Sequence, residues 1–412
     1  MNLPAKTTQV LNILFFASLA TGLVLWLHLQ KAWLLSGNWI GEYGVTEWLV
    51  NYQGGFVRRG LPGEFIFQLG RITGLNVGWI VICLSLAIYG IYFALVARAS
   101  HRKFPFWGLC AAPLLGYPIY SGILIRKDIF LLLCLFLLIK IITTLRLCPL
   151  RFFLINTLSV IAILSHELFL FFGLPACIMA DFMHWKALRH RSPGLGPSLF
   201  AQLATGWGIP LALGALVLRT SGNNIMALKI LESWGQLTPN PGPWQQTSEN
   251  LPGALSWLGR SPGDAISATQ YILSLTHLGM PLWLLVILAT FVAGLAITLL
   301  FRTDEEASLF SIYFLLQLFL MAPIYYSALD QGRWIFLHTN SAFIMALLMG
   351  SPLPTPRLQT LEFYVTELRT AAPPLLPIIA MAIWGFPHYS WSLGDWMDAT
   401  PLLQIPARLY FP

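Results

Sequence analysis

The sequence predicts an all-α, polytopic transmembrane helical bundle, and three observations carry that prediction. Hydrophobic residues fill 57% of the 412 positions. Charged residues fill only 10%, well under half of the roughly 25% usual in a soluble domain. Apolar stretches of about 20 residues, each long enough for a ~30 Å hydrocarbon layer, recur from end to end. The chain 1–412 therefore reads as a single transmembrane domain rather than a string of soluble ones, and soluble enzyme classes are excluded.

The spans follow in order. The first, 11–34, is preceded by a short lead and lacks a small-residue cleavage pattern, so it reads as a retained span and not a signal peptide. Further spans are expected at 77–97, 105–124, 129–145, 199–219, 278–301, 308–329, 333–350 and 373–387. The stretch 152–180 is too long, at about 43 Å, for one untilted helix. Its centre holds Ser165, His166 and Glu167, so it is expected to be a hairpin of two short helices with His166 and Glu167 at the tip. A single tilted helix kinked near Pro175 is the competing picture.

Short basic loops orient the bundle. Arg98, Arg102 and Lys103 form one, and Lys186, Arg189 and Arg191 another. Placing both in the cytoplasm with the N-terminus requires the hairpin and gives about eleven segments, N-terminus in and C-terminus out. Sorted this way, twelve bases and six acids lie inside, eleven of each lie outside, and Lys140 falls within a span. The net +7 is thus an inner-face excess plus one buried lysine. Outer cations sit instead in apolar turns, and each needs a local reason.

Two loops are expected on the outer face, 35–76 and 220–276, which become periplasmic under the resemblance given below. The first carries NYQGGFVRRG at 51–60, including Tyr52, Arg58 and Arg59, with Glu42 and Glu47 ahead of it. Its glycines at 54, 55 and 60 suit a close ligand approach or positive φ. Along an extended chain Arg58 and Arg59 would point to opposite sides, so one of them faces a given ligand. The second loop is rich in Pro, Gly and Trp, and 223–237 can form an amphipathic surface helix. Residues 361–371 can do the same on the inner side.

Three more outer clusters stand out. Arg126, Lys127 and Asp128 interrupt two apolar runs, which suits either an interfacial anchor or a phosphate, since guanidinium binds phosphate bidentately and ammonium adds a point charge. His166 and Glu167 are ionisable groups within an apolar stretch, where each costs about 2.5–3.5 kcal/mol to insert. A zinc HExxH motif is excluded because position 170 is Leu. Asp330 and Arg333 flank a turn, with His338 one turn below. By contrast, Asp304, Glu305 and Glu306 read as the acidic first turn of a helix.

Other signals are missing. The five cysteines (Cys83, Cys110, Cys134, Cys148, Cys177) show no CxxC spacing, and no dinucleotide or ATP fingerprint occurs. The chain calls for no cofactor and no nucleic acid, and it supplies no metal-ligand motif, a divalent ion being left open.

The layout, with an inner N-terminus and a large carboxylate-bearing first outer loop, resembles the integral-membrane glycosyltransferases of the GT-C superfamily and the related polysaccharide polymerases. The resemblance implies transfer of sugar from a polyprenyl-(pyro)phosphate carrier to a glycan or lipid acceptor, at the periplasmic face of a bacterial inner membrane. It implies an acidic first-loop base, which here falls to Glu47 or Glu42 because the first aspartate is Asp128. Arg58, Arg59, Arg126, Lys127 and Arg333 then form the pool of phosphate contacts. His166 and Glu167 would hold the acceptor or share proton transfer, supported by Asp128, Asp330 and Tyr52. The rivals are a transporter or flippase for an anionic lipid-linked glycan, favoured by the broken 152–180 stretch, and a non-catalytic scaffold whose outer clusters pair internally.

Overall fold

The computed structural model describes position 20, positions 23–24, and 43–103, 125–191, 198–220, 222–237, 251–258, 260, 262–275, 304–327 and 331–350. The expected spans 105–124, 278–301 and 373–387, most of 11–34, and the 361–371 segment lie outside the described residues. So do Glu42 and Asp330.

Every regular element among the described residues is helical: α1 (Tyr43–Leu49), α2 (Gly60–Thr73), α3 (Val77–Lys103), α4 (Asp128–Thr144), α5 (Pro149–Ser165), α6 (Phe169–Arg191), α7 (Leu199–Arg219), α8 (Asn224–Gly235), a 3₁₀ turn (Gly253–Trp257), α9 (Pro262–Leu275), α10 (Asp304–Ser327) and α11 (Gln331–Met349). Among the described residues three stretches, Val77–His101, Ala201–Arg219 and Asp304–Tyr325, are long and apolar enough to cross a membrane. An all-helical membrane protein is the reading they carry.

The chain forms two compact units. One comprises 29–92 and 123–264; the other comprises 1–28, 93–122 and 265–412.

In the first unit α4 is the central helix. Leu131, Leu132, Leu133, Leu135, Phe136, Leu138 and Ile139 are all buried, so it is apolar all round, as a helix enclosed by others must be. It packs on α5 and α6, while α7 packs on α5. The 152–180 stretch does break at His166, Glu167 and Leu168, but its arms are longer than the two short helices expected. They run 17 and 23 residues, or about 26 and 34 Å at 1.5 Å per residue. Pro175 lies inside α6 without ending it. The chain reverses at the break, because Arg151 near the start of α5 pairs with Asp181 deep in α6. A kinked single helix could not bring those residues together.

Neither expected loop is a loop in the ordinary sense. Segment 35–76 contains α1 and α2, because Val45, Glu47, Trp48 and Leu49 are buried and their backbone amides need partners in that environment. The indole N–H of Trp48 donates to the Ile125 carbonyl, and that of Trp234 donates to Leu49 O at 2.8 Å. The amphipathic helix expected at 223–237 exists as α8, with Asn223 capping it through Met226 N at 2.8 Å. Its apolar face is covered by protein: Trp234 meets Phe67 edge-on at 5.5 Å.

Of the three glycines expected to allow a close ligand approach or a positive φ, Gly55 has φ 122°, while the other two serve packing. A β-carbon at Gly54 would collide with the Met226 carbonyl, and one at Gly60 with the Tyr52 ring. Gly63 lies hardest against its neighbours, the Val50 and Trp48 carbonyls, which are rigid backbone. Gly63→Ala is expected to cost about 1–3 kcal/mol through overpacking; a thermal melt in detergent matching wild type would contradict this.

In the second unit α10 packs on α11. Gln317 Nε2 donates to Ser341 Oγ at 2.6 Å, and Tyr325 Oη lies 3.3 Å from His338 Nδ1. The helix α10 begins at Asp304 rather than 308, with Asp304, Glu305 and Glu306 in its first turn, where carboxylates favour the positive end of the helix dipole.

Candidate functional site

At the end of the first unit where α5 and α6 meet, four pieces of chain converge. The helix α1 supplies Glu47, fully buried. Its register is held by Thr46, whose hydroxyl donates to Tyr43 O at 3.0 Å and accepts from Ala254 N at 2.9 Å. The turn before α2 supplies Arg58 and Arg59. The turn before α4 supplies Arg126, Lys127 and Asp128, and the α5–α6 break supplies His166 and Glu167.

Arg59 is not extended. It adopts φ 69° and ψ 8°, the left-handed region, a conformation costing a non-glycine residue on the order of 1–3 kcal/mol. Two contacts hold it there. Its carbonyl accepts from Lys127 Nζ at 3.0 Å. Its guanidinium grips Glu167, with Nε donating at 3.0 Å to Oε1 and at 2.8 Å to Oε2, and Nη2 donating to Oε1 as well. The expectation that only one of the two arginines faces a given partner is therefore corrected, because Arg58 Nη1 also lies 3.7 Å from the same Oε1.

His166 links the two carboxylates. Its Nε2 is 3.1 Å from Glu47 Oε1, and its Nδ1 is 3.3 Å from Glu167 Oε2. The Leu168 amide donates to Nδ1 at 3.2 Å, which requires a lone pair there and so favours the neutral ring with its proton on Nε2, toward Glu47. Burial would raise the Glu167 carboxyl, but the Arg59 guanidinium outweighs it and holds it well below the usual carboxylate range. At neutral pH Glu167 is thus a fixed anion.

The other cations have different surroundings. Lys127 is fully buried and also donates to Ser165 O at 3.2 Å, tying α2, α4 and α5 together. Arg126 is buried, with its guanidinium carbon 4.7 Å above the Tyr43 ring. Asp128 is the buried first residue of α4. Arg58 is the most open of the group, its side chain 32% exposed. Tyr52 stacks on Phe56 at 5.6 Å; burial and then the nearby Glu64 push its hydroxyl up to about 12. The Glu64 carboxylate accepts from Tyr52 N, Gln53 and Gln68, bracing the turn that presents the arginines. Arg333 belongs to the other unit, buried on α11 with its guanidinium carbon 4.9 Å from the Trp334 ring centre.

Glu47, Arg58, Arg59, Lys127, His166 and Glu167 are thus brought together from four separate stretches. Sequence reasoning missed a second buried polar group at the far end of the same helices. Arg151 pairs with Asp181, which also accepts from Gln202 Nε2 at 2.7 Å and Trp207 Nε1 at 3.0 Å. No group of three or more metal-ligating side chains occurs among the described residues. Comparison with protein-family models, curated proteins and solved structures finds no match to this chain.

Proposed function

We propose that the chain is a glycosyltransferase or polysaccharide polymerase of a bacterial inner membrane, working at its periplasmic face on a polyprenyl-phosphate-linked sugar and a glycan or lipid acceptor. The about eleven segments, the inner N-terminus and the outer position of the Glu47 cluster belong to this proposal. The observation that carries it is the convergence of a carboxylate–imidazole–carboxylate row with two arginines. Transfer from a lipid phosphate needs a proton acceptor for the incoming hydroxyl and cations for the departing phosphate.

The residues divide these tasks unequally. Glu47 is fully buried, so it acts through His166 and not on the acceptor. Lys127 is committed to two carbonyls, which leaves Arg58, with Arg59 behind it, as the phosphate contacts.

The bidentate Arg59–Glu167 pair supports a second reading, a scaffold of a glycan assembly complex in which the cluster only ties helices. The two readings part at Arg58. As a phosphate contact it supplies a charge-assisted hydrogen bond of about 1.5–3 kcal/mol, so Arg58→Ala raises the KM for a polyprenyl-phosphate sugar by roughly ten- to a hundredfold. Its exposed head gives it little part in stability. Unchanged transfer in Arg58→Ala and Glu167→Gln, at normal membrane levels, would favour the scaffold.

A further inference from the structure

The ligand-free cluster is balanced by one arginine. The Arg59 fork is occupied by Glu167, while His166 lies between Glu167 and the second carboxylate, Glu47. The groups facing Glu167 are Arg58 and Arg59 from the turn before α2, and His166 from its own break. Tyr43 of α1 acts on both arginines and Glu47 on Arg59, and Lys127 sits behind, against the backbone of Arg59 and Ser165.

We propose that this cluster binds a phosphate ester together with a proton: the phosphate draws the guanidinium groups of Arg58 and Arg59 away from Glu167, and the His166–Glu167 pair takes up one proton. The proposal rests on the reading of Arg58 and Arg59 as contacts for the carrier phosphate.

Geometry supplies the route. Arg58 is the open cation and already lies 3.7 Å from the oxygen that Arg59 holds. A guanidinium fork that fits a carboxylate fits a phosphate equally well. The side chain of Arg59 is 21% exposed, so turning it outward requires no unfolding, and leaving the Glu167 grip frees its backbone from one of the two contacts holding the left-handed conformation.

Charge supplies the proton. With a neutral imidazole, the cations Arg58, Arg59 and Lys127 exceed Glu47 and Glu167 by one. The carrier left after sugar transfer is a phosphate monoester, which brings about −1.5 to −2 near neutral pH and leaves a buried excess of negative charge. Burial by itself pushes the Glu167 carboxyl up, and Arg59 is what holds it down; moving Arg59 onto phosphate removes that hold. A proton on the pair then lets the ring donate from Nε2 to Glu47 and from Nδ1 to Glu167, where the neutral ring can serve one carboxylate. In the ligand-free state the Leu168 amide at 3.2 Å from Nδ1 opposes that second N–H, so proton and phosphate arrive together.

The test is titration calorimetry of the full chain in detergent micelles, with farnesyl phosphate as probe and inorganic phosphate as a second arm. Buffers of different ionisation enthalpy report the protons exchanged. The expected result is uptake of about one proton per ligand, with the apparent Kd rising about tenfold per pH unit on the alkaline side. His166→Gln and Glu167→Gln, confirmed folded by thermal melts, should bind without that uptake. Tighter binding of farnesyl phosphate than of inorganic phosphate, both proton-coupled, identifies a lipid carrier; equal affinities with uptake support the site but make a free anion its ligand. Binding without proton uptake in the wild type overturns the coupling and leaves the carrier reading standing. Failure of the folded wild type to bind either probe sinks both.

Discussion

Arg151→Met and Asp181→Leu, made singly, are each expected to lower stability by about 3–5 kcal/mol, the loss typical when one partner of a buried ion pair is removed. Both side chains are fully buried, so whichever charge survives stays in a low-dielectric interior with no counterion. Asp181→Leu should be the worse of the two, because the Gln202 amide and the Trp207 indole N–H also lose their acceptor. Arg151 Nε and Nη1 have no hydrogen-bond partner among the described residues. The wild-type pair is therefore incompletely solvated, and its net worth against an apolar substitute is small. The double variant should accordingly recover the part of the loss that comes from the unpaired charge, while the Gln202 and Trp207 donors stay without their acceptor. Unfolding followed by thermal or denaturant melts in micelles gives the double-mutant cycle. Losses that simply add would mean that Arg151 and Asp181 do not act as a pair.

That cluster also shows what the sequence made legible. Arg151 and Asp181 each lie fifteen positions from His166. In a hairpin breaking at His166, residues equidistant from the tip reach the same depth, so the pairing follows once the break is accepted. The sequence obscures it because Arg151 and Asp181 fall among the charges that the basic loops place on the inner face, for which water is the expected partner. The break itself was readable, since Ser165, His166 and Glu167 interrupt an otherwise apolar run. Its arm lengths were not, because nothing between Arg151 and Pro149 or beyond Ala180 opposes helix: Lys and Arg are good helix formers, and α6 continues to Arg191. The same physics carries α3 through Arg98 to Lys103, past the expected end at 97.

Site residues were legible as types and not as partners. Burial penalties single out Glu47, Lys127, His166 and Glu167 as charges that need a reason, but which meets which depends on tertiary packing. The left-handed Arg59 has no sequence signature, because that conformation is held by Lys127 and Glu167, 68 and 108 positions away. Interfacial anchoring was the competing account of Arg126, Lys127 and Asp128. It fits Lys127 poorly, since a snorkelling lysine places its ammonium in water, whereas here it ends on two backbone carbonyls.

If the transferase reading holds, His166→Ala should reduce kcat by about 10²–10⁴, the range for loss of a proton-transferring group, with a smaller effect on carrier KM. Glu47→Gln should cost less, because the amide keeps a polar group of the same size beside His166 Nε2, while the charge that stabilises an imidazolium is lost. The distinguishing readout is kcat per folded molecule. Glu47→Gln, which removes an anion 3.1 Å from His166 Nε2, should lower it, though by less than His166→Ala does. A purely structural role for the row predicts something else: parallel losses of folded protein in both variants, with the activity per folded molecule unchanged. Measuring transfer against the amount of folded protein recovered in micelles separates these outcomes, and an unchanged kcat in Glu47→Gln would remove Glu47 from the chemistry whatever its effect on stability.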